Sequence, residues 1–486
     1  MTVALALALA GCAAGPDFKR PAPLVAERYT AEPLPGQTAS APIAGGAAQH
    51  LTAGQAVQAE WWSLFGSDSL NQLVAAALQA NPDLQAADAA LRMAQESAAA
   101  QHGALWPAVD LQLQPTRQRV ADPLSSPTAS GTNLYALHTA QLNIAYVPDV
   151  FGGTRRQVEA AEARADVARF QRHAEWLTLT SNVVLAAIQQ ASLQDQVQAT
   201  RQLIALSRDQ LDLAGQQHRA GQAGAVEVAA QETALAQLEA TLPGLEKQLA
   251  QQQHALAVLT GRIPGMELPA LQLTELALPD DLPVSLPAQL VEQRPDIRAA
   301  EAQLHAASAQ IGVATAARLP NITLTAALGS SALTPGTLFS TGTGFWSIGA
   351  NLVQPVFQGG ALKHQQKAAE AAYDQAAAQY RGTALTGFQN VADTLSAIHA
   401  DARGLRAAVA AEQAASKSLR IAQKQHQVGM SGRPAVLLAQ QAYQQSVLAL
   451  VQAQAARYAD TVALYQSLGG GWWLESKSAA QQAKAD

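Results

Sequence analysis

A single cysteine in 486 residues rules out an intramolecular disulfide framework and a cysteine-rich zinc site. Charge is also scarce. Asp, Glu, Lys and Arg make up 14 % of the chain, well under the roughly 25 % of an ordinary soluble domain. Aromatics are only 5 %, so the 49 % apolar share rests on alanine, leucine and valine. Beyond the N-terminus no apolar run reaches the roughly 18 residues of a membrane-spanning helix. The 31 basic and 37 acidic side chains leave a formal charge of −6 and no basic stripe, which argues against nucleic acid as a partner. No Gly-x-Ser-x-Gly elbow, His-Glu-x-x-His pair, phosphate loop or dinucleotide fingerprint occurs. No catalytic residue, metal site or diffusible cofactor is therefore expected, and the chain is not expected to be an enzyme.

The lone cysteine is informative. Residues 1–11 are a short apolar run of Ala, Leu and Val, and they read as a secretory signal peptide. The run ends in Leu9-Ala10-Gly11-Cys12, which resembles a bacterial lipobox. That resemblance implies cleavage before Cys12 and a diacylglycerol plus an N-acyl chain (palmitate) on Cys12. Ala13 and Ala14 follow, where an inner-membrane retention signal would carry Asp, so the outer membrane is implied. Residues 12–60 then read as a lipid-anchored extended tether. It is rich in Pro, Ala and Gly (Pro16, Pro21, Pro23, Pro33, Pro35, Pro42), which predicts no regular structure. Ordered sequence is expected from Trp61-Trp62-Ser63-Leu64-Phe65-Gly66, and the tail 475–486 reads as disordered.

An internal repeat organises the rest. Asn81-Pro82-Asp83-Leu84 recurs 213 residues later as Arg294-Pro295-Asp296-Ile297, with Leu91/Leu304 and Pro107/Pro320 in step. Pro148-Asp149-Val150-Phe151-Gly152-Gly153 answers Pro355-Val356-Phe357-Gln358-Gly359-Gly360. His218, Gly221 and Gly224 answer His426, Gly429 and Gly432, each 208 residues on. The chain thus reads as two structural repeats, 61–265 and 266–474.

Each repeat has the same plan. A helix from Pro82 is ended by Pro107. A strand follows in which Val109, Leu111 and Leu113 alternate with Asp110, Gln112 and Gln114. After the Pro/Ser/Thr/Gly-rich loop 121–133, Leu142, Ile144 and Tyr146 alternate with Gln141 and Asn143. The second copy has Ile322, Leu324, Ala326 and Leu328, then Trp346, Ile348, Ala350 and Leu352, each set opposed by small or polar residues. These strands have the length a tilted membrane strand needs. Strand–helix corners at Pro107, Gly152, Gly153, Pro320, Gly359 and Gly360 lead into long helices over about 154–219 and 361–428. Turns at 214–226 and 422–434 reverse the chain. The returning helix steps Leu235, Leu238, Leu242, Leu245, Leu249, Leu256 and Leu259, a coiled-coil seam that Pro243 should kink.

The fold class is therefore an α+β membrane protein, mostly long helices with four amphipathic strands. Four strands cannot close a barrel, and open edges are not tolerated in lipid, so several chains must pool their strands. Trp106, Tyr135, Tyr146, Phe345 and Trp346 near the strand ends fit an interfacial girdle, against the alternative of plain packing.

The lipobox, the Trp61–Gly66 stretch, Asn81-Pro82-Asp83-Leu84, Pro355-Val356-Phe357-Gln358-Gly359-Gly360 and the two glycine-containing turns, in this order, resemble the TolC-like outer-membrane efflux protein family in its NodT-type lipoprotein branch. The resemblance implies a homotrimer with one 12-stranded β-barrel in the outer membrane and a periplasmic coiled-coil helical barrel. It implies two partners, a periplasmic adaptor and an inner-membrane resistance-nodulation-division pump. The implied role is a passive exit duct for small toxic compounds, drugs or metal ions, as in multidrug resistance. The alternatives are a protein-secretion duct of the same fold and a pore-less lipid-anchored coiled-coil scaffold.

In this reading the interhelical turns form the periplasmic tip. Gly221, Gly224, Gly429 and Gly432 allow tight reversals and leave backbone open for an adaptor. The family's acidic tip ring would map onto Asp209, Asp212 and Glu227. The second copy carries Ala435 where the first has Glu227. His218 and His426 occupy equivalent turn positions, where a metal or pH role competes with a structural one.

Overall fold

The computed structural model describes residues 13–22, 28–121, 133–269, 271–285 and 287–473. The expected signal peptide, Cys12, most of the 121–133 loop and the tail 475–486 lie outside the described residues.

Strand β1 (His50–Ala53) and a 3-10 turn over Trp61–Phe65 precede helices α1 (Asp68–Ala80) and α2 (Pro82–Gly103). The hairpin of β2 (Ala108–Arg119) and β3 (Leu134–Tyr146) leads into α3 (Gly153–Arg219) and α4 (Ala225–Leu259). Strand β4 (Asp281–Val284) and α5 (Pro287–Gln293) open the second half. It continues as α6 (Pro295–Ala316), β5 (Asn321–Ala332), β6 (Gly344–Val353), α7 (Ala361–Gln427) and α8 (Arg433–Ser467). The duplication shows in the lengths. Helices α2 and α6 have 22 residues each, α3 and α7 67 each, α4 and α8 35 each. At 1.5 Å per residue, 67 residues make a helix of roughly 100 Å.

Compact units cut across the two copies instead of following them. Among the described residues, one unit holds those up to Pro21 with Ala90–Ala168 and Ala299–Arg381. The other holds Ala22–Ala89 with Arg169–Arg298 and the described residues from Gly382.

The first unit contains the four-stranded sheet, in the order β2-β3-β5-β6, antiparallel throughout. Its register aligns the alternations of all four strands. Leu111 faces Leu142, Leu142 faces Leu328, and Leu328 faces Trp346, while Val109, Ile144, Ala326 and Ile348 form the neighbouring row. Between them, on the other face, Asp110 faces Asn143, and the next row on that face pairs Gln112 with Gln141. Strand periodicity of two means that a slip of one residue would set these apolar rows against polar ones. At the base of the sheet the N-terminal segment is bound. Ala14 N–H donates to Phe151 O at 2.8 Å. Arg156, 5 % exposed, pairs with Asp17 at 2.6 Å and Glu159 at 2.7 Å. Phe18 stacks on His305 at 4.3 Å, and Arg20 pairs with Glu301 at 2.6 Å. A Cβ on Gly152 would fall 2.7 Å from Ala13 Cα, so the corner glycine also makes room for this segment.

The second unit is centred on an aromatic cluster. Trp61 stacks on Tyr465 at 5.3 Å, Phe65 lies 6.3 Å from Tyr458, and Trp62 lies 5.7 Å from Trp176. Trp61 and Phe65 are fully buried. Burying one such side chain contributes about 1.5–3 kcal/mol. The exposed pairs Arg201–Glu246 and Arg208–Glu239 between α3 and α4 contribute about 0–1 kcal/mol each. Aromatic burial, with the half-buried leucine seam of α4, therefore outweighs the ion pairs. Helix α4 runs through Pro243 without a break.

Equivalent joints close both copies. Asn81 caps α2 by accepting from Asp83 N at 2.9 Å and Leu84 N at 3.0 Å, and its Nδ2 donates to Leu259 O at 3.0 Å. In the second copy Arg294 Nη1 donates to Ser467 O at 2.9 Å, and the cap passes to Asp296, which accepts from Ile297 N at 2.9 Å. Glycine completes each joint. A Cβ on Gly261 would lie 2.4 Å from Ala80 O, and one on Gly469 2.6 Å from Gln293 O.

Two expectations differ from this structure. The stretch before Trp61 is extended but not without regular structure. Strand β1 pairs in parallel with β4, and Gln49, fully buried, donates to Pro279 O at 3.0 Å. The partner strand lies about 230 residues away, so no local pattern announces the pairing. Helix α1 was also not anticipated, because Asn81-Pro82 reads as a helix start and hides the helix before it. Its buried Leu70, Leu73, Val74 and Ala77 have helical spacing.

The glycines separate backbone need from tolerance. Gly469→Ala should cost at least about 1 kcal/mol, since its φ of 92° strains any side chain and the Cβ clashes. Gly404→Ala, inside α7 with open space around the Cβ, should stabilise by about 0.5–1 kcal/mol. Melting midpoints of the two variants followed by near-ultraviolet dichroism should move in opposite directions.

Candidate functional site

Two features have functional geometry. The first is the sheet. Its apolar face is uncovered. Leu111 is 72 % exposed, Leu328 63 %, Trp346 73 % and Ile348 79 %. A contiguous apolar face of this extent marks contact with lipid or protein. The opposite face is a mesh of amides. Gln141 Nε2 donates to Gln112 Oε1 at 3.1 Å and to Asn143 Oδ1 at 3.0 Å, and Asn143 Nδ2 donates to Gln112 Oε1 at 3.1 Å. Thr139 and Ser331 hydroxyls meet at 3.1 Å. Among the described residues of β2, β3, β5 and β6, Asp110 is the only carboxylate. Such a face suits water and carries little charge.

Register corrects the aromatic girdle. Tyr146 and Trp346 lie on the apolar face. Tyr135 pairs with Gln118, hydrogen-bonds to its amide, and falls on the polar face. Phe345 pairs with Gly329, in the polar row of Gln141. Counting parity from the loop end of each strand would have separated them.

The second feature is the pair of interhelical turns, both within the second compact unit. Gly221 has φ 74° and Gly429 φ 72°. Around Gly221, Gly221 N–H donates to His218 O at 2.9 Å and Gln222 N–H to Gln217 O at 2.8 Å. The second copy repeats this, with Gly429 N–H to His426 O at 3.1 Å and Met430 N–H to Gln425 O at 2.8 Å. The left-handed glycine is what this helix stop requires. Gly224 and Gly432 are the N-caps of α4 and α8, in extended conformation. His218 Nδ1 lies 2.8 Å from Ala223 O, and His426 Nδ1 3.2 Å from Ser431 O. The histidines thus brace their own turns, which favours the structural role. No group of three metal-ligating side chains occurs among the described residues.

The acidic candidates separate. Asp209 and Asp212 are exposed on α3. Glu227 is half-buried in the first turn of α4, where its charge opposes the positive end of the helix dipole favourably. It acts on a residue that the sequence reading missed. Arg433, 4 % exposed at the start of α8, donates from Nη1 to Gln217 Oε1 at 2.9 Å and from Nη2 to Gln210 O at 2.8 Å. Burial pulls its pKa down and the Glu227 carboxylate pulls it back up. An arginine in the first turn of a helix works against the dipole, and that anomaly was the available signal. Two groups away from the turns are also shifted. His173 is pulled down to about 4 by burial and by Arg172 and Arg169. Asp460 is pushed up to about 7 by burial and by its hydrogen-bonded neighbour Asp401.

An uncovered apolar face, an amide-lined reverse and a duplicated hairpin–helix unit define a membrane-embedded duct wall. The sequence profile of the outer membrane efflux protein family matches residues 73–262 and 286–470. The chain belongs to that family. Among its relatives, the toluene efflux pump outer membrane protein TtgC of Pseudomonas putida is 30 % identical over 485 residues, 99 % of this chain and 97 % of its own. The pyoverdine export outer membrane protein OpmQ of Pseudomonas aeruginosa is 30 % identical over 433 residues, 87 % of this chain and 90 % of its own. Among solved structures, the outer-membrane channel OprN superposes with a TM-score of 0.84 at 26 % identity, covering 95 % of this chain and 100 % of its own. VceC of Vibrio cholerae gives 0.79 at 29 % identity, covering 85 % and 99 %. The protein is an outer-membrane efflux channel, with its helices on the periplasmic side. Its relatives are channels and not enzymes.

Removing the arginine at the turns tests their coupling. Arg433→Ala leaves Gln217 and Gln210 O without their cationic partner. Amide hydrogen exchange over 210–219 and 433–437 should then accelerate at least about tenfold. Unchanged exchange would mean that Arg433 does not hold the turns together.

Proposed function

We propose that this chain forms a homotrimeric, lipid-anchored exit duct that passively conducts small toxic compounds delivered by an inner-membrane pump through a periplasmic adaptor. One observation carries the reading: the sheet has an uncovered apolar face and two unpaired edges. Edge strands β2 and β6 run in opposite directions, so β6 of one chain meets β2 of the next antiparallel. Two chains would close eight strands and three would close twelve, and the family likeness favours three. The amide mesh would then line a watery, weakly charged lumen.

Further observations support the parts. Ala13 abuts Gly152 where the sheet gives way to α3. Lipid on the preceding Cys12 would therefore enter the inner leaflet beside the barrel, and acyl chains contribute about 0.8 kcal/mol per buried methylene. Gly221, Gly224, Gly429 and Gly432 are open at the turns, and Val226, Val428 and Met430 beside them are 82 %, 70 % and 78 % exposed. That surface suits an adaptor whose docking covers apolar side chains. Asp209, Asp212 and Glu227 are the acids of this tip. The relatives' names span toluene, antibiotics and pyoverdine at about the same identity. A wide duct with selection left to the pump accounts for that range, and a resistance-nodulation-division pump is the proposed partner.

The mass of the unheated protein in mild detergent tests the assembly. A species of three chains that collapses to one on boiling is the expected result. A monomer would remove the shared barrel and bring the scaffold reading forward. In planar bilayers Glu227→Gln should reduce cation selectivity, seen as a shift of the reversal potential toward zero. An unchanged potential would take Glu227 out of the tip.

A further inference from the structure

The outward face of β2 changes character along its length. Val109, Leu111, Leu113 and Pro115 are followed at the same parity by Arg117 and Arg119, both exposed. On β3, His138 pairs with Pro115, which makes it the diagonal neighbour of Arg117 on the same face, at roughly 7–8 Å between backbones. The other outward positions of the four strands carry no carboxylate. Neither arginine has an ion pair in the described structure. The inward-facing neighbours Gln118 and Tyr135 bond to each other and leave this cluster alone.

Distance decides what these cations face. Eight and ten residues separate Val109 from Arg117 and Arg119. At roughly 3.4 Å per residue and a tilt of about 40°, they stand about 21 and 26 Å above Val109. The apolar band of such barrels is about 25 Å tall. The helices leave the sheet at the Val109 end, on the periplasmic side, so the arginines reach the opposite boundary, at the outer leaflet. Cations inside the band would be costly, and solvated ones need no common parity. Two arginines on the lipid face at headgroup height match fixed anions, and arginine binds phosphate bidentately.

We propose that Arg117 and Arg119, with His138 beside them, form a binding site for the phosphate groups of lipid A in the outer leaflet. The inference rests on the membrane-embedded sheet proposed above. Contact with this lipid would fix the height of the hairpin β2–β3 in the membrane. It would also supply counter-charge that the chain itself does not provide on that face.

The test uses the full chain, purified in mild detergent, with lipid A as the probe. Wild type should bind bis-phosphorylated lipid A at least about tenfold more tightly than its dephosphorylated form, a preference that weakens as salt is raised. The Arg117→Gln, Arg119→Gln double variant should lose that preference while binding the dephosphorylated form like wild type. Its conductance and heat-sensitive oligomer should be retained, so a failed barrel would be seen separately from a failed lipid site. Three results would overturn the site. They are equal wild-type binding of the two lipid forms, an undiminished preference in the double variant, and equally tight binding of phosphatidylglycerol. The first and third need no variant, so a misfolded variant leaves the test intact.

Discussion

Backbone hydrogen bonding in hydrocarbon governs this molecule. Strands β2 and β6 are the edges of the sheet, and each presents a row of N–H and C=O groups with no partner strand among the described residues. In water such edges are tolerable. In lipid each unsatisfied group costs several kcal/mol, so the edges must be paired. The opposite sense of the two edge strands makes head-to-tail pairing possible without a change of sheet type. The proposed pooling of strands between copies of the chain rests on that one constraint.

The duplicated design gives each copy the same joints with different side chains. Asn81 and Arg294 both reach the carbonyl end of the returning helix, at Leu259 and Ser467. The smaller amide also caps its own helix, whereas the guanidinium leaves that to Asp296. At the turns, geometry is conserved between copies by glycine and histidine, but charge is not. Glu227 has no acidic counterpart, and Arg433 crosses from the second copy to Gln217 and Gln210 of the first. Repeats fix backbone shape. The asymmetry within them is where polar links between copies are made.

Much of the fold was legible. Period-two alternation located β2, β3, β5 and β6, and long proline-free stretches located α3 and α7. Glycine marked the corners and turns, where Gly152, Gly221, Gly359, Gly360 and Gly429 have positive φ. Helix α1 was missed because a helix-start signal stood directly behind it. The β1–β4 pairing was missed because its partners are distant in sequence. Arg433 was overlooked since a single cation in a helix usually faces solvent, and only packing reveals that this one is buried. The N-terminal stretch read as a loose tether because proline forbids regular structure but not burial. Gln49, Thr38 and Asp17 are held by the side chains of Thr461, Arg457 and Arg156, far along the chain.

By itself, the sequence determined the repeat, the two-faced strands, the absence of a spanning helix and the family, since these depend on local spacing and order. Tertiary structure decided the register that aligns the apolar rows of four strands, the burial of Arg433, and the pairing of the N-terminal segment with β4 and α3. Local pattern sets which residues alternate. It does not set which strand lies opposite, because cross-strand contact depends on loop closure between residues far apart in the chain.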